Sequence, residues 1–286
     1  MTSRILIQLD SDPQPSSFDS VVAIDAGVDH MLRYGGVQVT SVEPLVHGAM
    51  FTRGGDDLRN TAIFIGGSDV TVAERLLAAC KDAFFGPVRV SLMLDANGCN
   101  TTASAAVVAA SRHIDLKGAR AVVLGGTGPV GRRVSQLLAS DGADVTLTSR
   151  SLQRAEVACK EIAGKVETGT VTAAAVGAGQ GEQLLHEAQI VVGCGAAGIE
   201  LVKERTITQL KSLEVAIDLN AVPPSGIGGV SVTDKAVPLG NGVAYGAIGV
   251  GGLKMKTHRA AIKRLFEAND LVLDADEIYQ LAKSFA

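Results

Sequence analysis

Three glycines, spaced as Gly126-x-Gly128-x-x-Gly131, are the residues of this chain best suited by type and spacing to bind a ligand. The apolar run from Ala119 to Leu124 precedes them and a helical pattern through Leu138 follows, so they fall in a strand–turn–helix connection. There, Gly126 allows a tight turn, Gly128 lets a pyrophosphate approach the backbone, and Gly131 lets the helix pack on the strand. The alternative is a glycine-rich turn without a ligand. The context favours a dinucleotide site.

The start of the following helix supplies the donors that phosphates need. Pro129 falls in the first turn, where its missing N–H costs nothing. The free N–H groups and the positive end of the helix dipole then face the phosphates. The predicted phosphate loop therefore comprises Gly126, Thr127, Gly128, Pro129, Val130 and Gly131.

The end of the next predicted strand, Val145–Thr148, indicates which dinucleotide is bound. NAD-binding folds usually carry Asp or Glu there for the ribose hydroxyls. Here the positions are Ser149 and Arg150, with Arg154 one turn further on. Arginine beside hydroxyl groups accepts a 2′-phosphate, which a carboxylate would repel. These residues favour NADP without excluding NAD; the alternative is that Arg150 is a solvated residue at the start of a helix.

Two later strand ends are expected near the nicotinamide half of the dinucleotide. Small residues follow Ile190–Val192, and Ala196 and Ala197 among them would let a ring approach the backbone. Asp218 and Asn220 end the strand that begins at Val215. Tight turns without a ligand are the alternative at both places.

A polar segment follows the buried-type strand Val88–Leu94. Ligands bind at the carboxyl ends of strands in open α/β sheets, so a substrate site is predicted there. Its candidate substrate-binding residues are Asp95, Asn97, Asn100 and Thr102. Asn and Asp also favour turns, and Asn100 or Thr101 would serve as a helix cap, so a purely structural role stays open.

Cations cluster at the start of a predicted helix from about Leu253 to Glu267. Lys254 and His258 are four residues apart and share a face, with Lys256 between them. Cations at a helix start oppose the helix dipole, which hints at a ligand. A solvated helix face is the alternative.

The remaining pattern predicts an α/β protein of two α/β domains with a cleft between them, one of them a central Rossmann-type parallel-sheet domain. Upstream strands are expected at Ile5–Leu9, Ala62–Ile65 and Val88–Leu94, with a helix capped by Ser68 or Asp69 between the last two. A final helix runs from Ala275 to Phe285, capped by Asp274. The predicted domains are residues 1–103 joined by C-terminal helices at about 253–286, and a nucleotide-binding domain at 104–252.

Composition narrows the function classes. The chain has 286 residues, 47% of them hydrophobic, with 33 glycines and a net charge of −4, and it carries no basic run, so nucleic acid is not an expected partner. No apolar stretch is long enough to span a membrane, and no signal peptide is evident, so a cytoplasmic location is expected. The 4 cysteines and 5 histidines are scattered without metal-ligand spacing, so no metal site is predicted.

Taken together and in order, several segments resemble one family, the bacterial NAD(P)-dependent methylene-tetrahydromethanopterin dehydrogenases of one-carbon metabolism. The glycine fingerprint is common to many oxidoreductases, whereas Asp95–Thr102 and Gly246–His258 are more specific. The resemblance rests on Gln8–Asp12, Tyr34–Gly35, Thr52–Gly55, Thr61–Gly67, Phe84–Pro87, Met93–Thr102, Gly126–Gly131, Pro224–Gly229, Gly246–Lys254 and Asp274–Lys283.

The resemblance implies a substrate domain for the pterin, a Rossmann domain for NADP or NAD, and an oligomer, which we expect to be a homo-oligomer. It implies that the enzyme oxidises the methylene group of methylene-tetrahydromethanopterin, the C1 carrier, to the methenyl form. Hydride loss from an N–CH2–N carbon releases no proton, so no general acid or base is assigned. Under this reading Asp95, Asn97 and Asn100 bind the pterin or stabilise the developing cation, and Lys254, Lys256 and His258 line the cleft or bind the substrate's polar tail.

Three alternatives remain open at the level of sequence. The chain also has the layout expected of a methylene-tetrahydrofolate dehydrogenase or of a shikimate-type dehydrogenase. A non-catalytic NADP-sensing Rossmann protein would keep the glycine loop, but it would have no reason to keep both polar segments.

Overall fold

A computed structural model describes residues 2–176 and 181–286 and divides the chain into two compact units. The first unit comprises Met1–Thr101 and Met255–Leu281, and the second comprises Thr102–Lys254 and Ala282–Ala286. All three divisions, after Thr101, Lys254 and Leu281, fall within helices, and the first two lie near but not at the boundaries expected after residues 103 and 252. In the described residues no helix is long and apolar enough to cross a membrane.

The helices and strands alternate along most of the chain. The first elements are β1 (Ile5–Asp10), α1 (Ser17–Asp25), β2 (His30–Tyr34), α2 (Glu43–Met50), β3 (Thr61–Gly66), α3 (Val70–Asp82), β4 (Ser91–Leu94) and α4 (Cys99–Ser111). They continue as β5 (Arg120–Leu124), α5 (Pro129–Ser140), β6 (Asp144–Ser149), α6 (Leu152–Ala163), β7 (Thr170–Ala175), α7 (Gly181–Leu185), β8 (Ile190–Gly193), α8 (Glu204–Thr208) and β9 (Val215–Asp218). The last elements are β10 (Lys235–Leu239), β11 (Gly242–Tyr245), α9 (Ala247–Arg264), β12 (Val272–Leu273) and α10 (Ala275–Lys283).

The first unit is built on a parallel sheet of order β12-β4-β3-β1-β2. Strands β3 and β4 are buried along their whole length, which is why their sequences are apolar runs without alternation. Phe64 and Met93 pack with Ile262 of α9 and Ile278 of α10 in one core cluster. The carboxyl ends of β1, β3 and β4 therefore share one edge of this sheet.

The second unit carries a sheet of order β10-β11-β9-β8-β5-β6-β7, in which β10 alone of these strands is antiparallel to its neighbour. From β5 the chain adds β6 and β7 on one side and then returns to add β8 and β9 on the other. The order thus reverses between β5 and β8, and ligands of open α/β sheets bind at such a switch point. This confirms the predicted α/β class with parallel sheets.

The strands that the sequence pattern missed are mostly at sheet edges. β2 (His30–Tyr34) and β7 (Thr170–Ala175) are edge strands whose side chains are largely exposed, so their sequences lack the apolar run of a central strand. The predicted strand Val88–Leu94 is shorter, because Val88 instead forms an isolated bridge with Phe85.

The predicted start of the penultimate helix at Leu253 is wrong. Helix α9 begins at Ala247 and includes Gly249, Gly251 and Gly252, although glycine weakens helices. Lys254 therefore lies in the third turn rather than the first. Lys254 and the cations after it therefore do not lie at the helix start, where they were expected to oppose the helix dipole.

Candidate functional site

The glycine turn lies between β5 and α5, as predicted. Gly128 is the N-cap of α5, with φ −74° and ψ 168°, and Pro129 occupies the first turn. A Cβ on Gly131 would lie 2.6 Å from the Cα of Gly126, so the close packing expected of Gly131 is present. A Cβ on Gly128 would meet no atom within 4 Å, and its φ suits any residue. Neither packing nor conformation requires glycine at 128, which fits a backbone kept bare for a pyrophosphate.

The turn is held from the neighbouring strand by Thr148. The N–H of Gly125 donates to Thr148 Oγ1 at 3.2 Å, and the N–H of Gly126 donates to the Thr148 carbonyl at 2.9 Å. Gly125 has φ +65°, in the region that favours glycine. Gly125 was not among the predicted site residues, although an extra glycine directly before the fingerprint is a usable signal.

The carboxyl ends of β5, β6 and β8 surround a pocket of about 410 Å³. Of the residues predicted to bind the coenzyme, those that line it are Thr127, Gly128, Ser149, Arg150, Arg154 and Ala196. Gly125, Ser151, Cys194 and Leu201 also line it and were not predicted. A larger cavity of about 830 Å³ lies at the opposite edge, where β5 and β6 begin with Arg120 and Asp144, away from the glycine turn.

Two exposed arginines and two serines form the β6 side of the pocket. Ser151 caps α6, its Oγ accepting from the N–H of Arg154 at 3.4 Å, and Ser149 Oγ accepts from the N–H of Ser151 at 3.3 Å. Arg150 and Arg154 are exposed. No carboxylate lines this pocket among the described residues, so its charged lining is cationic and suits a phosphate.

The β8 side of the pocket touches the glycine turn. A Cβ on Gly125 would lie 2.7 Å from the Cα of Gly195, so the turns after β5 and β8 are in close backbone contact. Ala196 lines the pocket, whereas Ala197 is exposed outside it. Burial, with the Asp218 carboxylate adding, raises the pKa of the Cys194 thiol to about 12, so this pocket cysteine is a neutral thiol at neutral pH.

Asp218 and Asn220 do not line the pocket and hold a loop instead. The buried Asp218 carboxylate accepts from the N–H groups of Asn220 and Ile227, both at 3.1 Å. Burial raises the pKa of Asp218, while these N–H groups act in the opposite direction. Asn220 accepts from the N–H of Val222 and donates to the Pro224 carbonyl.

In the first unit, Asp95, Asn100 and His258 come together in a buried cluster. Asp95 accepts from the N–H groups of Asn100 and Thr101, each at 3.0 Å, and from the Thr101 hydroxyl at 2.6 Å. The capping side chain is thus Asp95 rather than Asn100 or Thr101. Asn100 donates its amide to the Leu94 carbonyl at 2.7 Å and to Asp274 at 2.9 Å.

His258 joins α9 to this cluster. Its Nδ1 lies 3.9 Å from Asp95 Oδ2, and its ring stacks on Phe64 with a centroid distance of 5.7 Å and an interplanar angle of 21°. The exposed members of the predicted set in this unit are Asn97, at φ +52°, and Lys256. Thr102 and Lys254, both partly exposed, belong to the second unit.

A glycine turn at the switch point of a mainly parallel sheet defines a Rossmann-type, dinucleotide-binding fold, here with a second parallel sheet in the same chain. Solved structures show the same fold: the ligand-free 5-ketofructose reductase of Gluconobacter sp. strain CHM43 is 15% identical, with a TM-score of 0.53 over 99% of each chain. In the described residues no cluster of three or more His, Cys, Asp or Glu could hold a metal ion.

Sequence comparisons identify the family. The model of the N-terminal region of methylene-tetrahydromethanopterin dehydrogenase matches residues 17–97. The bifunctional protein MdtA of Methylorubrum extorquens is 44% identical over 288 residues, covering 100% of both chains. The NAD(P)-dependent methylenetetrahydromethanopterin dehydrogenase of that organism is 32% identical over 299 residues, again covering 100% of both. The chain belongs to the methylene-tetrahydromethanopterin dehydrogenase family, which confirms the resemblance inferred from its motifs.

Proposed function

We propose that this protein is an enzyme that oxidises methylene-tetrahydromethanopterin to methenyl-tetrahydromethanopterin and passes the hydride to NADP, with NAD as the weaker acceptor. One observation carries the proposal. A bare glycine turn and two arginines line one pocket, in a chain related over its whole length to a dehydrogenase named for this pterin and for NAD(P).

The pocket residues would hold the coenzyme in two places. The N–H groups at the start of α5 would bind the pyrophosphate, because Gly128 leaves the backbone open and the helix dipole favours an anion there. Arg150 and Arg154 would bind the 2′-phosphate, with the Ser149 and Ser151 hydroxyls beside them. The preference for NADP rests on these two arginines.

The chemistry requires little of the protein beyond positioning. When bound, the nicotinamide supplies the hydride acceptor. Hydride loss from the carbon between two nitrogens leaves a delocalised amidinium cation, with no proton to remove. A site for this step needs orientation of two rings and stabilisation of a developing positive charge, not a general base. Cys194 lines the pocket and is not assigned a nucleophilic role, because burial raises the pKa of its thiol and keeps it neutral.

We assign the pterin to the first unit, residues 1–101 with 255–281. The support is that the N-terminal family model covers residues 17–97 and that polar groups gather at the carboxyl end of β4. Asn97 and Lys256 are exposed and are the members of the predicted set in this unit best able to touch substrate directly. Asp95, Asn100 and His258 are buried and would act by holding the backbone that carries Asn97.

A spectrophotometric assay that follows formation of the reduced coenzyme tests the proposal. Purified protein is given methylene-tetrahydromethanopterin with NADP or NAD, and in parallel methylene-tetrahydrofolate or shikimate, the substrates of the two alternative dehydrogenases. Turnover on the methanopterin donor with a higher kcat/KM for NADP supports the assignment. Turnover on the folate donor alone, or on shikimate alone, would assign the chain to another dehydrogenase. NADP binding without turnover on any donor would identify a coenzyme sensor.

A further inference from the structure

An ion pair lies directly behind the glycine turn and has no part in the function described so far. Arg132 follows the last glycine of the fingerprint on α5, and Glu161 lies near the end of α6. Arg132 Nη1 is 2.5 Å from Glu161 Oε2, and Arg132 Nε donates to the carbonyl of Thr127 at 3.2 Å. The N–H of Arg132 also donates to the Gly128 carbonyl at 2.9 Å. One residue thus contacts two successive carbonyls of the turn.

The contact with Thr127 decides where a neighbouring N–H group points. A trans peptide is planar, and its C=O and N–H point in opposite directions. Because the Thr127 carbonyl is held toward Arg132, the N–H of Gly128 in the same peptide points away from Arg132. Both Thr127 and Gly128 line the pocket, whereas Arg132 is not among its lining residues.

Stability alone does not account for an arginine at this position. The side chains of Arg132 and Glu161 are 34% and 56% exposed, and ion pairs so exposed add little to stability. A cation in the first turns of a helix also opposes the helix dipole. Arg132 therefore contributes mainly by orienting the turn, and Glu161 holds its guanidinium group in place.

We propose that Arg132 is a positioning residue for the coenzyme, which fixes the Thr127–Gly128 peptide so that its N–H faces the pyrophosphate, and that Glu161 locks it there. The inference rests on the proposed coenzyme site. Loss of Arg132 is expected to change coenzyme affinity differently from loss of Arg150 or Arg154, which would bind only the 2′-phosphate of NADP. The pyrophosphate is common to NADP and NAD, so loss of Arg132 weakens both coenzymes by the same factor.

The test compares dissociation constants for NADP and NAD by calorimetry in four variants. Arg132→Met keeps the aliphatic stem without donors, and Arg132→Lys keeps the charge without the planar Nε–H. Both are expected to raise each dissociation constant about tenfold, the scale of one hydrogen bond to a charged group. Glu161→Gln is expected to raise both by a smaller, equal factor. Glu187→Gln, from the exposed Arg120–Glu187 pair (3.7 Å) where β5 begins, is the matched control and should change neither.

Steady-state kinetics separate positioning from general damage. KM for the coenzyme should rise in both Arg132 variants, with kcat at saturating coenzyme unchanged. Three results would overturn the proposal. A loss of affinity for NADP alone would make Arg132 a 2′-phosphate ligand, and full affinity in Arg132→Lys would show that only the charge matters. Unchanged binding of both coenzymes in Arg132→Met would show that Arg132 does not position the turn. If the unaltered protein binds neither dinucleotide, the proposed function itself fails.

Discussion

Substitution of Gly125 by alanine perturbs the pocket at a point where the structure sets the size of the effect. The added Cβ would lie 2.7 Å from the Cα and 2.9 Å from the nitrogen of Gly195, and ordinary contact begins at 3.4 Å. The turns after β5 and β8 must therefore separate by about 0.7 Å. Both turns line the pocket, so the displacement reaches the coenzyme site directly.

Gly118→Ala is the matched control in the same unit. Gly118 has φ +73° and an added Cβ there would meet nothing within 4 Å, so alanine incurs only the left-handed conformational cost, about 1–2 kcal/mol. Gly125, at φ +65°, incurs the same cost plus a clash of about 1–3 kcal/mol. The difference between the two variants isolates the displacement of the turns.

Urea unfolding and calorimetric titration with NADP measure the two consequences. Both variants should be less stable than the unaltered protein, and Gly125→Ala more so. Gly118→Ala should bind NADP normally, whereas Gly125→Ala should bind it at least about tenfold more weakly, since shifts of this size disrupt aligned contacts. If Gly125→Ala binds NADP as tightly as Gly118→Ala, the pocket between these two turns is not the coenzyme site.

Three further predictions concern named side chains. Replacing Arg150 and Arg154 together by alanine should lower kcat/KM for NADP about 10- to 100-fold and leave that for NAD nearly unchanged, because only NADP has the 2′-phosphate; an equal loss for both would refute the arginine assignment. Asp95→Asn should destabilise the protein by about 1–3 kcal/mol in urea unfolding, because one donor of the cap loses its acceptor. It should also lower turnover on the pterin while leaving the NADP dissociation constant unchanged, and unchanged kinetics would remove Asp95 from the substrate site. Cys194, with a pKa of about 12, should react slowly with iodoacetamide at pH 8, and the rate should rise about tenfold for each pH unit above that. The reaction should be faster in Asp218→Asn, because the Asp218 carboxylate helps to raise the pKa of the thiol. Labelling is followed by mass spectrometry, and rapid labelling at pH 7 would contradict this environment.

The glycine turn and the central strands were predictable because their sequence signals are local. A buried parallel strand is an apolar run, and a turn that brings a helix back onto it requires glycine, so Val122 through Gly131 carry the information themselves. The N-cap of α3 at Asp69 was predictable for the same reason, since its side chain accepts from the N–H of Val72 three residues on.

The roles of the polar strand-end residues were not predictable, because they depend on partners distant in sequence. The Asp218 carboxylate accepts from the N–H of Ile227, and the Asn100 amide donates to Asp274, which is 174 residues further along the chain. A carboxylate or amide after a strand looks the same in sequence whether it faces a ligand or holds a loop. Edge strands such as β2 were not predicted for a different reason. They pair with only one neighbouring strand and stay largely exposed, so their sequences contain no apolar run.

The oligomeric state and the cytoplasmic location stay predictions. The binding roles of the residues predicted for the pterin and the coenzyme likewise await the variants described above.

Isotope transfer from the methylene carbon is the measurement that tests the central claim most directly. Methylene-tetrahydromethanopterin carrying deuterium on both methylene positions would be turned over with NADP in ordinary water, and the reduced coenzyme analysed by mass spectrometry. Direct hydride transfer without a general base predicts one deuterium per reduced nicotinamide and none released to solvent. Reduced coenzyme without deuterium, or no reduced coenzyme at all, would contradict the proposed reaction.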